Sequence, residues 1–356
     1  MNSLRSPASA NSLFSFRPTR GLISRAGVIP ISYTQDVVGA IGRSLHDIAS
    51  ALTVMSGIGY DPRDNVTANI PPQSVGTDYV ASTTGLPSLR GLRIGVLCGF
   101  INSTSSNETT PVNLAMSLVT SLLSSSGAIL IPINDTSVYN ATSISSLYDV
   151  QQLEYREFLT AYLSSPSLTG SRPLSMPQLY LNSSPEYLVI PAQYSYITTA
   201  LSSSTSNATY FTRLSGIANL TTYLHSTFST SNLDAIIYPE QKNLVVPLGS
   251  ASQSGRNGIL AALTGSPVIT IPIGFSNASS TAPVGLPIGM EILGLPWTEP
   301  KLLRIAKGID DRLHARRPPV TGGLNETAEV TSRYTAVPAV TPAKNVDLKA
   351  YPTGVV

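Results

Sequence analysis

The chain has 356 residues, enough for one large domain or two smaller ones with a sizeable core. Charged residues make up only 12%, against roughly 25% in a typical soluble domain, and apolar residues make up 42%. The net charge of +2 without a basic run argues against a nucleic-acid-binding surface. The uncharged run at 258–275 is interrupted by Pro267 and Pro272, which favours buried strand and loop over a membrane span.

The cysteine and histidine content argues against two further kinds of site. Cys98 is the only cysteine, so neither an intrachain disulfide nor a thiolate metal site is expected. The histidines His46, His225 and His314 are too widely separated in sequence to suggest a zinc site. We therefore expect no metal ion and no cofactor.

Ten Asn-X-Ser/Thr sequons favour a secreted, glycosylated protein, although several would arise by chance in a chain so rich in serine and threonine. The sequence after Met1 resembles no signal peptide. We expect an extracellular protein whose signal belongs to a segment preceding this chain. The sequons are at Asn65, Asn102, Asn107, Asn134, Asn140, Asn182, Asn207, Asn219, Asn277 and Asn325.

The first sixty residues predict loops followed by one helix. Residues 1–20 have no clear period, and 24–30 predict a short buried strand and turn closed by Pro30. From Gly39 to Met55, apolar residues recur at steps of three and four, which predicts one buried face of a helix. We expect His46 on this helix to be a structural or surface residue.

Residues 92–133 predict a strand, a helix and a second strand. The apolar runs 92–98 and 128–133 flank a helical pattern at 111–125, so we expect a βαβ unit with parallel strands. Cys98 at the end of the first strand is expected to be a small buried residue. A nucleophilic role is unsupported because no histidine or aspartate pattern accompanies it.

Residues 140–232 form a Ser/Thr-rich stretch with helical patches at 144–163, 175–181 and 210–228. Two interpretations of its tyrosines remain open. They could line a pocket for an apolar or aromatic substrate, or they could cover the half-wet surface of amphipathic helices. The tyrosines concerned are Tyr148, Tyr155, Tyr162, Tyr180, Tyr187, Tyr194 and Tyr196.

The last third of the chain predicts an alternation of strands and helices. Strands are expected at 234–239, 266–275 and 287–294, with helices at 254–265 and 297–315. The whole pattern predicts an α/β fold with a mixed sheet covered by helices on both faces. We divide the chain into a domain at 1–316 and a surface-wrapping tail at 317–356.

Several motifs resemble the amidase signature family of serine amidases, over residues 1 to about 315. They are Met1-Asn2-Ser3-Leu4-Arg5-Ser6-Pro7-Ala8, Arg17-Pro18-Thr19, Gly265-Ser266-Pro267, Pro272-Ile273-Gly274 and Pro287-Ile288-Gly289. The resemblance implies the amidase signature fold, with 140–232 as a variable helical layer that shapes the substrate pocket. It also implies a secreted, fungal-type member that lacks the start of the signature, so that the fold is incomplete at its N-terminus.

The resemblance implies that Ser3 is the nucleophile of a carboxamide hydrolase and forms an acyl-enzyme. The family activates this serine with an unprotonated lysine relayed through a second serine, and backbone N–H groups before the nucleophile form the oxyanion hole. The first lysine here is Lys242, which we interpret as a surface residue, and the relay segment is absent. We therefore expect this chain to be inactive as given, and Asp36 and Arg25 to hold loops by hydrogen bonds.

Two alternatives stay open beside an active full-length amidase. One is a non-catalytic protein that binds small amides or acids, and the other is a protein like the glutaminase subunit of a tRNA-dependent amidotransferase. The expected partners are a small-molecule amide and, as an assembly, a homodimer. Neither nucleic acid nor a membrane is expected as a partner.

Overall fold

The structure is a computed structural model that describes residues 2–181, 189, 193–247, 250 and 253–318. Within these residues seven strands form one sheet. The strands are β1 (Phe14–Arg17), β2 (Ala40–Gly42), β3 (Arg93–Leu97), β4 (Ile129–Ile133), β5 (Ala235–Pro239), β6 (Val268–Phe275) and β7 (Pro287–Leu293). Their spatial order is β2-β1-β6-β7-β5-β3-β4.

The sheet is mixed, as the sequence predicts. Strand β3 pairs in parallel with β4 and β5, whereas the pairs β1–β2, β1–β6, β5–β7 and β6–β7 are antiparallel. The βαβ unit is confirmed: Arg93 lies opposite Ile129 and Leu97 opposite Ile133, and a helix connects the two strands.

Ten α-helices occur in the described ranges, and they cover both faces of the sheet. They are α1 (Arg5–Ala10), α2 (Leu45–Ser56), α3 (Thr110–Ser125), α4 (Ala141–Tyr148), α5 (Gln151–Leu163), α6 (Met176–Leu181), α7 (Tyr194–Ser202), α8 (Ala208–Ser231), α9 (Ile259–Thr264) and α10 (Glu299–Leu313). Short 3₁₀ helices span Asn65–Asn69, Pro72–Ser74, Val80–Thr83 and Cys98–Phe100.

Alternation along the strands separates two cores. Ile269 and Ile271 of β6 contribute to a core with α2, α3 and α10, whereas Val268 belongs to a second core with α4, α8 and α9 on the opposite face. Helix α1 lies on this second face, because its Arg5 contacts Glu291, which alternates with the first-face residues of β7. The expected α/β architecture is confirmed.

The N-terminal region differs from the sequence-based expectation. Residues 5–10 form α1 and 14–17 form β1, where only loops were expected. All four side chains of β1 are buried, and the alternation of apolar and polar residues in Phe14-Ser15-Phe16-Arg17 is only four residues long, the shortest run that indicates a strand. The predicted strand at 24–30 is absent, because this segment turns at Gly27 (φ +84°) instead of joining the sheet.

Two predicted helices start later than expected. Helix α2 begins at Leu45 because Ser44 and Asp47 form a capping box, and residues 40–42 pair with β1 instead. Helix α9 begins only at Ile259 and ends near the predicted residue 265, where Gly265 adopts the left-handed conformation.

The segment 140–232 contains helices as expected, and α7 is a further helix that the sequence pattern did not predict. Helices α5, α6 and α7 share a third apolar cluster that includes Tyr155, Leu159 and Ile197. Tyr187, the sequons Asn182 and Asn325, and the tail from residue 319 lie outside the described residues.

No helix in the described part of the chain combines the length and apolarity needed to cross a membrane. Within the same residues, no three His, Cys, Asp or Glu side chains are placed to share a metal ion.

Candidate active site

Ser3 is exposed at the wall of a cleft of about 900 Å³. It lies in the turn that precedes α1, and the Asn2 carbonyl accepts hydrogen bonds from the backbone N–H groups of Arg5 (3.1 Å) and Ser6 (2.9 Å). The start of α1, the start of α4, Tyr196 and residues from the 241–259 region line the cleft. The sequence-predicted nucleophile is therefore accessible to a ligand in this cleft.

Arg5 anchors the helix that follows Ser3. Its Nη1 donates to both carboxylate oxygens of Glu291 at 2.8 and 2.9 Å, and its Nη2 donates to the Gly258 carbonyl at 2.6 Å. Both side chains of the pair are fully buried. The pair fixes α1 to β7, because the two charged groups are buried and each is held by its hydrogen bonds to the other.

Gly258 allows the N-terminal segment to lie close to the start of α9. A Cβ atom at this position would meet Asn2 Oδ1 at 1.6 Å and Arg5 Nη2 at 2.7 Å. Any side chain here would displace the two residues that position the Ser3 turn.

Glu240 anchors the other side of Ser3. Asn2 Nδ2 donates to Glu240 Oε1 at 2.9 Å, and the Glu240 side chain is fully buried just after β5. Burial and the nearby charge of Glu291 raise the pKa of Glu240 to about 8, against the opposing influence of Arg5 and Arg256. Glu240 is therefore mostly protonated at neutral pH.

The hydrogen-bonding groups around Glu240 agree with a protonated carboxyl group. Among the described residues, Glu240 Oε2 and Asn2 Oδ1 are both buried and have no hydrogen-bond partner. A neutral carboxyl group offers a donor, and an amide oxygen is an acceptor. Asn2, the residue before Ser3, thus contacts a carboxyl group that holds a proton, whereas Arg5 forms a salt bridge with Glu291.

A second cavity of about 280 Å³ also touches Ser3 and is lined by Arg17, Arg25 and Asp36. Arg17 donates to the carbonyls of Ser266 (3.1 Å) and Gln35 (3.2 Å), and burial lowers the pKa of its guanidinium.

The loop-holding roles predicted for Arg25 and Asp36 are confirmed. Arg25 Nη2 pairs with Asp64 at 2.7 Å. Asp36 Oδ2 accepts the backbone N–H groups of Ile31 (2.8 Å) and Ser32 (2.9 Å). The side chains of Arg25 and Asp36 therefore hold loops in place.

Neither Lys242 nor Cys98 lines the Ser3 cleft, and both differ from their expected environments. Lys242 is half-buried, not an ordinary surface lysine, and burial lowers its pKa. Cys98 is half-buried, not fully buried, with its Sγ 3.6 Å from the Val96 carbonyl. Among the described residues, no lysine side chain lines the cleft.

Three of the tyrosines line a pocket, as the first of the two interpretations predicts. The pocket measures about 290 Å³ and is bounded by Ile31, Tyr155, Tyr180, Val189, Gln193, Tyr196 and Ile197. The hydroxyl groups of Tyr155 and Tyr180 are hydrogen-bonded at 2.9 Å. We call these seven residues the tyrosine pocket.

Sequence reasoning missed Glu240 and Glu291. A signal was available for Glu291, because it is a charged residue inside the apolar run Met290-Glu291-Ile292, where an unpaired charge would be costly. Glu240 follows Pro239 at the end of a strand and reads as a loop residue.

The family model described as Amidase matches residues 2–303. This chain belongs to the amidase family. The match covers the Ser3 turn together with Glu240 and Glu291, which Asn2 and Arg5 contact. The family resemblance inferred from the motifs is thereby confirmed.

The amidase chain spans about half the length of the curated relatives it matches. A protein named "Putative amidase" from Arthroderma benhamiae is 27% identical in an alignment 353 residues long, which covers 88% of this chain and 52% of the relative. A glutamyl-tRNA(Gln) amidotransferase subunit from Moraxella catarrhalis is 26% identical over 315 residues, covering 85% of this chain and 60% of the relative.

A solved structure confirms the amidase fold. The native peptide amidase from Stenotrophomonas maltophilia superposes with a TM-score of 0.69 at 26% identity. The superposition covers 89% of this chain and 62% of the peptide amidase. The predicted fold class, an amidase signature sheet between helices, is therefore confirmed.

Proposed function

We propose that this chain carries the nucleophile of a carboxamide hydrolase, and that Ser3 is acylated by the substrate. The observation that supports this most is that Ser3 is exposed in the cleft, while Asn2 and Arg5 beside it bind two buried carboxyl groups. A nucleophile needs this combination, because its own oxygen must be free and its backbone must be fixed.

In the proposed reaction, Ser3 Oγ bonds to the carbonyl carbon, the C–N bond breaks, and the amine leaves with a proton. Water then cleaves the acyl ester to give the acid. The first step needs a base for the hydroxyl proton and a donor for the amine. Since no lysine of the described chain lines the cleft, we propose that this chain alone turns over amides at a negligible rate.

An ester substrate separates acylation from amine protonation. A p-nitrophenyl ester has a leaving group that needs no proton, so we expect slow, Ser3-dependent cleavage of the ester and no measurable ammonia from the matching primary amide. In the Ser3→Ala variant, the rate of ester cleavage should fall to the uncatalysed rate. Ser145→Ala, which alters another serine of the same cleft, should behave as the unmodified chain.

Lys242→Met should also leave ester cleavage unchanged, because Lys242 does not line the cleft. Equal rates for Ser3→Ala and the unmodified chain would refute the proposed nucleophile. Loss of activity in Lys242→Met would instead identify a base that the proposal denies.

A non-catalytic amide- or acid-binding protein is the second candidate, favoured by the same absence of a lysine from the described cleft wall. Such a protein would bind a small amide equally well with serine or alanine at position 3 and would form no acyl adduct. A third candidate, one component of an amidotransferase, would co-purify with the other components of that enzyme.

We also propose that the protein is secreted and glycosylated. Of the ten sequon asparagines, eight lie in the described ranges and none of these is buried. Expression through a eukaryotic secretory pathway should give a protein whose mass falls on enzymatic removal of N-linked glycans. Asn277→Gln, at an exposed position, should remove one glycan.

We further propose that the protein is a homodimer, which gel filtration would test.

A further inference from the structure

We propose that the tyrosine pocket binds a neutral aryl group of the substrate, so that the chain selects arylalkyl carboxamides. This inference rests on the proposed function in so far as Ser3 is the reaction centre. The binding itself can be tested without turnover.

The tyrosine pocket adjoins the space around Ser3. Gln193 and Tyr196 line both the pocket and the large cleft that Ser3 borders. Ile31 lines both the pocket and the smaller cavity that Ser3 also borders. A group held between Ile31 and Tyr196 therefore lies next to both of the spaces that Ser3 borders.

The chemistry of the wall favours an uncharged ring. All seven lining residues are uncharged. The hydroxyl groups of Tyr155 and Tyr180 bond to each other, and the rings of Tyr155 and Tyr196 are 6.2 Å apart at a tilt of 48°. Tilted aromatic walls of this kind offer edge-to-face contacts to a third ring.

The volume of the pocket fits an aryl group with a short linker. A dry cavity of about 150 Å³ is sufficient to hold benzene. The tyrosine pocket has about 290 Å³, which leaves room for the methylene and the start of the amide. Among the described residues the buried Tyr196 hydroxyl has no hydrogen-bond partner, so a polar atom of the ligand could satisfy it.

A cationic ligand is the main competing occupant, because aromatic walls also attract quaternary ammonium groups. A cation would gain from a free carboxylate at the wall, and among the described residues that line the pocket none is acidic. The carboxylate of Glu154, on the same helix as Tyr155, instead accepts hydrogen bonds from Ser32, Thr34 and Tyr210. The wall therefore favours a neutral ring.

The test measures binding to the Ser3→Ala chain by ligand-observed NMR, so that no chemistry interferes. Phenylacetamide should bind about tenfold or more tightly than propanamide, because only the former buries a ring. Phenyltrimethylammonium should bind more weakly than phenylacetamide.

Two variants and a matched control locate the binding site. Ile31 is 40% exposed at the mouth of the pocket, so Ile31→Trp can fill it without disturbing the core. Ile31→Trp and Tyr196→Leu should each weaken phenylacetamide binding about tenfold and leave propanamide binding unchanged. Tyr60→Leu, at a 58% exposed tyrosine outside the pocket, should change neither.

Three outcomes would overturn the inference: no preference for phenylacetamide over propanamide, a preference that survives both pocket variants, or tighter binding of phenyltrimethylammonium. If phenylacetamide binds as expected but no Ser3-dependent ester cleavage occurs, the proposed function fails. The tyrosine pocket then stands as an aryl-amide binding site.

Discussion

Two buried carboxyl groups support the Ser3 turn from opposite sides, and they have different protonation states. Glu291 is paired with Arg5 by two hydrogen bonds, whereas Glu240 accepts a hydrogen bond from the neutral side chain of Asn2. Burial and the charge of Glu291 outweigh the opposing influence of Arg5 and Arg256 on Glu240, so this second carboxyl group holds a proton. Because of this difference, the role of Glu240 can be tested by its pH dependence and that of Glu291 by removing Arg5.

The first prediction concerns Glu240 and pH. The pKa of Glu240 is raised from its usual 4.5 to about 8. Between these pH values the folded chain holds a proton that the unfolded chain releases, so this residue's contribution to stability falls as pH rises and is constant above about pH 8. The slope reaches at most ~1.4 kcal/mol per pH unit.

Glu240→Gln removes the titrating proton but keeps an amide that can pair with Asn2. Relative to the unmodified chain, the variant should gain a few (~2–5) kcal/mol in free energy of unfolding between pH 5 and pH 9. Urea denaturation at both pH values measures this change. Glu108→Gln, at an exposed glutamate, is the control. A variant whose stability stays parallel to that of the unmodified chain would show that Glu240 is ionised throughout.

The second prediction concerns the Arg5–Glu291 pair. Arg5→Met leaves a buried carboxylate without its partner and should lower the free energy of unfolding by about 3–5 kcal/mol. Adding Glu291→Met should recover most of that loss, because both charges are then absent. Lys301→Met breaks the exposed pair with Asp234 and should cost no more than about 1 kcal/mol. Equal losses for Arg5→Met and Lys301→Met in urea denaturation would contradict this account.

At the scale of elements, the third prediction concerns the start of α2. Ser44 Oγ accepts the Asp47 N–H at 3.1 Å, and Asp47 Oδ2 accepts the Ser44 N–H at 3.0 Å. Ser44→Ala should lower the free energy of unfolding by about 1 kcal/mol. Ser117→Ala, at an exposed site inside α3, should be neutral or slightly stabilising. A neutral Ser44→Ala would show that packing alone determines where α2 begins.

Periodic elements could be predicted from the sequence, and elements defined by their partners could not. Strand β3 and helix α3 follow apolar runs and three-to-four spacing, so their positions were predicted within about two residues. Strand β1 is buried on both faces between β2 and β6, and the apolar–polar alternation of Phe14-Ser15-Phe16-Arg17 covers only four residues. Only the neighbouring strands make it a strand.

At the scale of the whole molecule, the site depends on contacts between distant parts of the chain. The Asn2–Glu240 contact spans 238 residues, and the Arg5–Glu291 contact spans 286. Motif resemblance predicted Ser3 because the nucleophile and its neighbours are adjacent in sequence. The carboxyl groups beneath it become adjacent only through the β5–β7 pairing, which no local pattern specifies.

The tyrosine pocket likewise could not be predicted from local sequence patterns, because it joins distant parts of the chain. The sequence shows that tyrosines cluster between 148 and 196, and both a pocket and a wet surface agree with that clustering. The structure brings three of them together with Ile31, which lies in a loop more than a hundred residues away. Tyr148 instead packs against Gly216 in the second core.

The most direct test of the central claim, that Ser3 is the nucleophile, is the site of covalent modification by a p-nitrophenyl ester. The chain would be incubated with the ester, quenched with acid and analysed by intact mass and peptide mapping. We predict a single acyl group on Ser3, which is absent from Ser3→Ala and retained in Ser145→Ala. An acyl group on another residue, or equal labelling of Ser3→Ala, would contradict the claim.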